Sequence, residues 1–446
     1  MTQLPLSAVI LAAGKGTRMR SPLPKILHDI GNTPLLGHVL GLCQKAGINN
    51  KMIVTGHQAE AVQKAALELD DGCDFCIQEP QLGTAHAVSQ AKEFLQKQEG
   101  DVVILYADTP LIHPETLKAM QKIRQAGYDM AFLGFESASP GGYGRLVMDD
   151  QGELHEIVEA KDATPEQLEI PYCNSGVMMV KAGILLGLLE QVDNKNAKEE
   201  YYLTDVVKIG RKMGLKVGVG LCHEDETIGV NAQAELAHAE LIFQTHKRLE
   251  VMQMGVTLQM PQTVYFSYDT EIGAGTRIEP HVYFGPKVQI EEECYIKAFS
   301  HIEGAHIHKN AVIGPFARLR TGTMVQQDVK IGNFVETKNA LIDQGVKINH
   351  LSYIGDASIG KETNIGAGTI TCNYDGYEKH KTFIGSHAFI GSNSSLVAPV
   401  HIGDNAYIGS GSVITKNVTG GALALTRGPY KEVPGWSERL KKKKIS

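Results

Sequence analysis

From Ile272 onward the chain places an apolar residue at every sixth position. One run is Ile272, Ile278, Phe284, Ile290, Ile296 and Ile302. A second, Ile313, Leu319, Val325 and Ile331, leads through Ile342, Ile348, Ile354, Ile359 and Ile365 to Ile384, Ile390, Leu396, Ile402, Ile408 and Ile414. Six is neither the 3.6-residue period of a helix nor the two-residue period of an isolated strand. It is the period of a parallel β-helix in which three hexads close one triangular coil, each anchor pointing inward while Gly, Asn and Asp turn the corners. Ile365 and Ile384 are 19 positions apart, one more than three hexads, and the stretch includes Thr371-Cys-Asn-Tyr-Asp-Gly-Tyr377. This stretch reads as a loop thrown off a corner, the kind of place where a solenoid carries function.

The first half has a different pattern. Short apolar, β-branched runs at Ser7-Ala-Val-Ile-Leu-Ala, Lys51-Met-Ile-Val-Thr, Asp101-Val-Val-Ile-Leu-Tyr and Asp129-Met-Ala-Phe-Leu-Gly alternate with helical segments. That alternation predicts an α/β doubly wound, Rossmann-like domain with a mostly parallel sheet. Asn231 to Met254 runs without Gly or Pro and is rich in Ala, Glu, Leu and Gln, which predicts a connecting helix. The expected organisation is a first domain over 1–230, a linker helix over 231–251 and the β-helix over 252–446.

Composition changes this picture little. Among 446 residues, 47 are glycine, more than the ~7% of an average protein. Aromatics make up only 6%, as a narrow aliphatic β-helix interior requires. A formal charge of -7 offers no global basic field for nucleic acid, so any phosphate site must be local. No apolar stretch is long enough to cross a bilayer, and the N-terminus lacks a secretory pattern, so a cytoplasmic protein without membrane or nucleic-acid partners is expected. The seven cysteines lack zinc-site spacing, Cys73 and Cys76 having no second pair, and are expected to be reduced packing thiols.

The first predicted strand runs into Leu11-Ala-Ala-Gly14-Lys-Gly16-Thr-Arg18-Met, with Pro24-Lys25 close behind. Glycines there let backbone N–H groups face a phosphate chain, and Arg18 and Lys25 bring two cations to it. The pattern is neither a P-loop nor a complete dinucleotide fingerprint. With these residues, the half resembles the sugar-1-phosphate nucleotidyltransferases. Gln78 with Gly83-Thr84, Tyr106-Ala107-Asp108, Gly142-Tyr-Gly144-Arg, Val158-Glu159-Ala-Lys-Asp162, Asn174-Ser-Gly and Gly229-Val-Asn231 follow in that family's order. Joined to hexapeptide repeats, the chain from about residue 6 to 436 resembles the bifunctional enzymes that acetylate glucosamine-1-phosphate and then uridylylate the product to UDP-N-acetylglucosamine, a precursor of bacterial cell-wall polymers.

The resemblance implies that Leu11, Ala12, Ala13, Gly14, Gln78, Gly83 and Thr84 hold UTP, with Gln78 on the uracil edge. It implies Gly144, Glu159 and Asn174 for the N-acetylglucosamine-1-phosphate, and Asp108 and Asn231 for Mg²⁺. Tyr106 and Ala107 belong to the same substrate-binding motif. Ala107 stands where relatives often have glycine. In-line attack of an already anionic phosphate on UTP needs positioning and charge neutralisation, the tasks of Lys25, Arg18 and the metal. The other Asp and Glu residues of this half are expected to be solvated surface.

Acetyl transfer from acetyl-CoA needs a base, and Asn349-His350-Leu-Ser-Tyr353 matches the family's motif, so His350 takes that role. Arg320 and Lys338 would hold the sugar phosphate, Tyr353 and Asn364 the sugar. Glu336 shares the strand face of Lys338 and would tune its charge. Ala367, Asn373, Tyr374, Ser392, Ser410 and Arg427 would hold acetyl-CoA, Ser410 standing where some relatives have alanine. The resemblance further implies a homotrimer. The alternative is a single-function nucleotidyltransferase whose β-helix is only a scaffold. A non-catalytic β-helix interaction protein would leave the phosphate loop without a role. The Lys441-Lys-Lys-Lys444 tail is expected to be a solvated terminus.

Overall fold

The computed structural model describes residues 5–196, 198–426 and 428–443. It divides into two compact units, Met1–Gln244 and Thr245–Ser446. Arg427 and Lys444 lie outside the described residues, as do the side chains of the rest of the lysine tail.

In the first unit the strand Leu6–Ala12 lies at the centre of a sheet. Lys51–Thr55 and then Cys73–Ile77 add in parallel on one side, and Asp101–Tyr106 adds in parallel on the other. Beyond it, Tyr172–Lys181 runs antiparallel between Asp101–Tyr106 and Met130–Glu136, and Val217–Cys222 closes the order in parallel. Ala8, Val9 and Ile10 are fully buried, as expected for a strand covered on both faces by helices. The direction of winding changes between Leu6–Ala12 and Asp101–Tyr106. A crevice therefore opens beyond the carboxyl ends of those two strands, the general place for a ligand in such sheets.

Cys73–Ile77 and Val217–Cys222 were not among the sequence-predicted strands. The first is a half-exposed edge with Asp74 in its middle, and the second is diluted by Gly218 and Gly220. The expectation that the remaining acids are surface groups is corrected at Asp101, which is buried and accepts from Arg124 Nη2 at 2.7 Å. Burial pushes the thiols of Cys43 and Cys222 up to about 12 and those of Cys73, Cys76 and Cys294 to about 11. All seven cysteines are unpaired, protonated packing groups.

The second unit is a parallel β-helix. All twenty-one anchors are buried. Residues pair with the next coil 18 or 17 positions on: Ile272 with Ile290, Ile278 with Ile296, Ile296 with Ile313, Ile331 with Ile348 and Ile348 with Ile365. Where the apolar period slips, Ile307, Thr337 and Thr371 fill the inward position. Thr337 and Thr371 do so by bonding Thr323 Oγ1 at 3.0 Å and the Gly355 carbonyl at 3.0 Å. The two threonines meet the rule that a buried hydroxyl needs a partner.

Two expectations are corrected. Ile365 pairs with Ile390, 25 residues on, so the coil that contains the loop carries seven residues beyond three hexads rather than one. Corners are not reserved for Gly, Asn and Asp either. His281, Phe299, Phe316, Phe334 and Leu351 turn successive coils at φ between 50° and 59°. The four rings stack at centroid spacings of 5.0, 4.8 and 5.2 Å, and stacking of about 0.5–1.5 kcal/mol per pair offsets much of the left-handed backbone's cost. Together with Asn393 and the glycines Gly368 and Gly411, they form one left-handed corner along the length of the unit. The whole is a left-handed parallel β-helix of hexapeptide repeats.

The helix Gln233–Gln253 begins in the first unit and ends in the second. Glu235 accepts from the N–H groups of Asn231 at 2.5 Å and Ala232 at 3.1 Å, covering donors the first helical turn leaves open. No helix among the described residues is long and apolar enough to cross a membrane.

Candidate active sites

The crevice of the first unit holds a cavity of about 320 Å³ lined by Leu11, Ala12, Ala13, Gly14, Lys25, Gln78, Gly83, Thr84, Tyr106 and Asp108. An adjoining one of about 870 Å³ is lined by Gly14 to Arg18, Lys25, Gln78 and Asn231. Residues spread from position 11 to 231 thus converge because they lie on loops at the carboxyl ends of neighbouring strands. Glycine at position 16 permits φ 60° and leaves room for Lys25, whose Cβ sits where a side chain would begin.

Lys25 Nζ ion-pairs with the Asp108 carboxylate and donates to Asn231 Oδ1 at 3.0 Å. The Val230 N–H donates to the Asp108 carbonyl at 2.9 Å, which brings the Gly229–Asn231 segment onto the Asp108 loop. Two oxygen ligands on distant loops thus already converge on one cation, an ammonium. A carboxylate and an amide oxygen are a donor set that suits a hard divalent ion keeping part of its water, so these residues fit one. Arg18 is exposed on the short turn Thr17–Met19 at the rim of the larger cavity.

Gln78 is buried. Its Nε2 donates to the Gly83 carbonyl at 2.9 Å and contacts His86 Nδ1 at 3.2 Å, so much of its amide holds the Gly83–Thr84 turn. Gln81, which sequence reasoning missed, donates to the Ala13 carbonyl at 2.5 Å and ties the two loops of the cavity together. Ala107 is buried in the core behind Asp108.

Gly144, Glu159 and Asn174 form a neighbouring group. The Asn174 N–H donates to the Gly144 carbonyl at 2.8 Å, and Asn174 Oδ1 accepts from the Gly176 N–H at 3.0 Å within a β-bulge. Gly176 stands at φ 89° against the Tyr106 ring, where an added Cβ would lie 2.8 Å away, so Tyr106 and the bulge require glycine there. Burial raises the Glu159 carboxyl above its ordinary range, opposed by Lys198 and by the Thr204 hydroxyl at 3.4 Å. Burial and the nearby Asp108 carboxylate likewise raise Tyr106, keeping its phenol protonated.

In the β-helix the register aligns the second group of residues. Ile331, Ile348, Ile365, Ile390 and Ile408 pair in sequence. Residues two positions further on therefore stack as Asn333, His350, Ala367, Ser392 and Ser410, one column on five successive coils about 4.8 Å apart. His350 is exposed, and its Nδ1 lies 2.8 Å from Asn333 Oδ1, a contact that orients the ring and was missed in the sequence. Asn364 lies on the coil after His350, paired with Lys347.

Past the corner at Leu351 a second column begins with Arg320, Lys338 and Gly355. The Tyr353 hydroxyl occupies the space above Gly355, 2.4 Å from where a Cβ would stand. The glycine thus lets the phenol reach beside Lys338. Arg320 Nη1 donates to Glu336 Oε1 at 3.0 Å, and Lys379, also missed, approaches Lys338 and lowers it from its ordinary range. Three cations with one carboxylate give this exposed face a local positive charge.

The looped-out segment is a small hairpin. Asp375 accepts from the N–H groups of Tyr377 at 2.8 Å and Glu378 at 2.7 Å and from His380 Nε2 at 2.7 Å, bonds that hold its carboxyl far below the usual range. Asn373 at its base is buried and donates to Asp356, which Asn339 also bonds at 2.6 Å; Tyr374 is exposed.

Comparison with known proteins fits both units. The family of MobA-like NTP transferase domains matches residues 8–164, and that of bacterial transferase hexapeptide repeats matches 269–304 and 381–416. Over nearly its whole length the chain is similar to proteins named Bifunctional protein GlmU. It is 49% identical over 440 residues to that of a Jannaschia species, covering 99% of this chain and 96% of the relative. It is 52% identical over 433 residues to that of a Ruegeria species, covering 97% and 96%. With that of Azorhizobium caulinodans it shares 50% over 442 residues, covering 99% and 98%. Because these matches run through both units, the β-helix is more than a scaffold appended to a nucleotidyltransferase. The chain belongs to the GlmU family of bifunctional proteins and carries uridylyl transfer and acetyl transfer on one polypeptide.

Proposed function

We propose that the β-helix acetylates glucosamine-1-phosphate from acetyl-CoA, and that the first unit then joins the N-acetylglucosamine-1-phosphate to UTP. The observation that carries this reading is the column Asn333, His350, Ala367, Ser392 and Ser410. His350 with small residues on the coils that follow it makes an open track suited to an extended pantetheine arm. In this reading Ser392, Ser410, Ala367, Asn373, Tyr374 and Arg427 hold the coenzyme, and Arg320, Lys338 and Lys379 hold the sugar phosphate. Tyr353 and Asn364 orient the sugar. The amine nitrogen attacks the thioester carbonyl carbon, His350 takes the proton from nitrogen, the C–S bond breaks, and the imidazolium passes that proton to the departing thiolate so that coenzyme A leaves as the thiol.

In the first unit, the phosphate oxygen of the sugar attacks the α-phosphorus of UTP and the bond to the β-phosphate oxygen breaks, releasing pyrophosphate. No proton needs to be removed. Leu11 to Gly14, Gln78, Gly83 and Thr84 orient the nucleotide; Gly144, Glu159 and Asn174 orient the sugar. Arg18 and Lys25 stabilise the charge on the phosphates. Asp108 and Asn231 would hold Mg²⁺, which when bound supplies neutralising charge between the two anionic substrates. The hexapeptide architecture favours a homotrimer, and acetyl-CoA and UTP as substrates favour a cytoplasmic enzyme.

The full chain, given glucosamine-1-phosphate, acetyl-CoA and UTP, is expected to release thiol and pyrophosphate in equal amounts and to form UDP-N-acetylglucosamine. Pyrophosphate release should cease when acetyl-CoA is withheld. Release that continues without acetyl-CoA, or equal use of UTP and dTTP, would overturn the assignment.

A further inference from the structure

A cluster with no place in either reaction lies near the start of the β-helix. The strand Ala305–Ile307 carries His306 outward, Ile307 inward and, just beyond its end, His308 outward. Two residues apart on one strand, the imidazoles share a face, and their rings stack with centroids 4.3 Å apart. Glu291 stands on the preceding coil, where Gln289 pairs with His306 and Ile290 with Ile307, so Glu291 is level with His308. Its Oε1 lies 2.9 Å from His308 Nδ1 and 3.7 Å from His306 Nε2. All three ligand atoms lie within 4.8 Å of one another.

We propose that Glu291, His306 and His308 form a binding site for a borderline first-row divalent cation, best suited to Zn²⁺. Four ligands about 2.0–2.1 Å from zinc stand about 3.3 Å apart, and the distances to Glu291 Oε1 fall on either side of that value. Two imidazoles and a carboxylate suit zinc, and they leave a fourth position for water. Magnesium, which prefers oxygen ligands, is disfavoured. The carboxylate is already aimed, because its Oε2 accepts from the Lys309 N–H at 3.1 Å and leaves Oε1 for the histidines. Cys294 lies nearby and donates its S–H to the His308 carbonyl at 3.2 Å. The three ligands come from two consecutive coils, so a bound ion would staple one coil to the next and stabilise the β-helix by mass action.

The probe is Co²⁺ added to the metal-stripped full chain. One equivalent is expected to give the intense ligand-field bands of four- or five-coordinate cobalt, which Zn²⁺ then displaces. The bands should vanish in the His306→Gln/His308→Gln double variant and in Glu291→Gln, and persist in Asp108→Asn, which separates this site from the metal site proposed in the first unit. Zn²⁺ should raise the melting temperature of the wild-type β-helix and leave that of the double variant unchanged. Retained acetyl transfer in the variants would show that they fold. No saturable bands in the wild type, or bands undiminished in the double variant, would show that the cluster is only a histidine–carboxylate contact.

Discussion

The two halves of this chain gather their chemistry in opposite ways. In the first unit, residues as far apart as Lys25, Asp108 and Asn231 meet because strand order brings their loops to one crevice. No spacing in the sequence reveals that meeting. In the second unit, His350, Ala367, Ser392 and Ser410 align because the coil has a fixed length, and their positions follow from counting. An α/β site rests on topology and a solenoid site on period. Damage to one should therefore leave the other intact.

The largest expected effect is at the base in the column. His350→Ala should lower acetyl transfer by about 10²–10⁴-fold, the usual contribution of a general base, with uridylyl transfer from supplied N-acetylglucosamine-1-phosphate unchanged. Loss of both activities in parallel would mean that the two halves are not independent. The converse variant, Asp108→Asn, should cost uridylyl transfer about 10²–10³-fold while thiol release from acetyl-CoA continues at the wild-type rate.

A subtler change tests the register itself. Gly355→Ala places a Cβ where the Tyr353 hydroxyl stands and should push the phenol aside. Loss of about one hydrogen bond predicts a KM for glucosamine-1-phosphate raised about five- to tenfold with a smaller change in kcat; an unchanged KM would remove Tyr353 from the sugar site.

The smallest effect concerns Glu159 in the first unit. Its carboxyl is raised by burial above 4.5, so between 4.5 and the raised value the folded state holds more protons than the unfolded one. Its contribution to stability then falls as pH rises through that window and is flat above it. Glu159→Gln should remove this decline, seen as a wild-type-minus-variant difference in urea midpoint that changes across acidic pH and is constant near neutrality.

Much of the second unit was legible because one physical demand, filling a narrow interior, repeats at every hexad. Its exceptions were hidden for equally physical reasons. Thr337 and Thr371 take inward positions through hydrogen bonds that a hydrophobic pattern does not register, and the seven-residue insertion was masked because Ile384 resumes the period soon after it. The corner phenylalanines gave no turn signal, since their stacking across coils is a long-range effect. In the first unit the motif glycines and Lys25 could be read locally, but Gln81 reaches its site through a loop approach, and in the second unit Asn333 and Lys379 reach theirs through coil pairing and the looped-out segment, which single-sequence spacing does not encode.

The central claim, that the base and the acetyl donor share one column of the β-helix, is tested most directly by a crystal structure of the full chain with acetyl-CoA. The thioester is predicted beside His350, with the pantetheine running past Ala367, Ser392 and Ser410. Coenzyme bound along the face of Arg320 and Lys338, or away from His350, would contradict it.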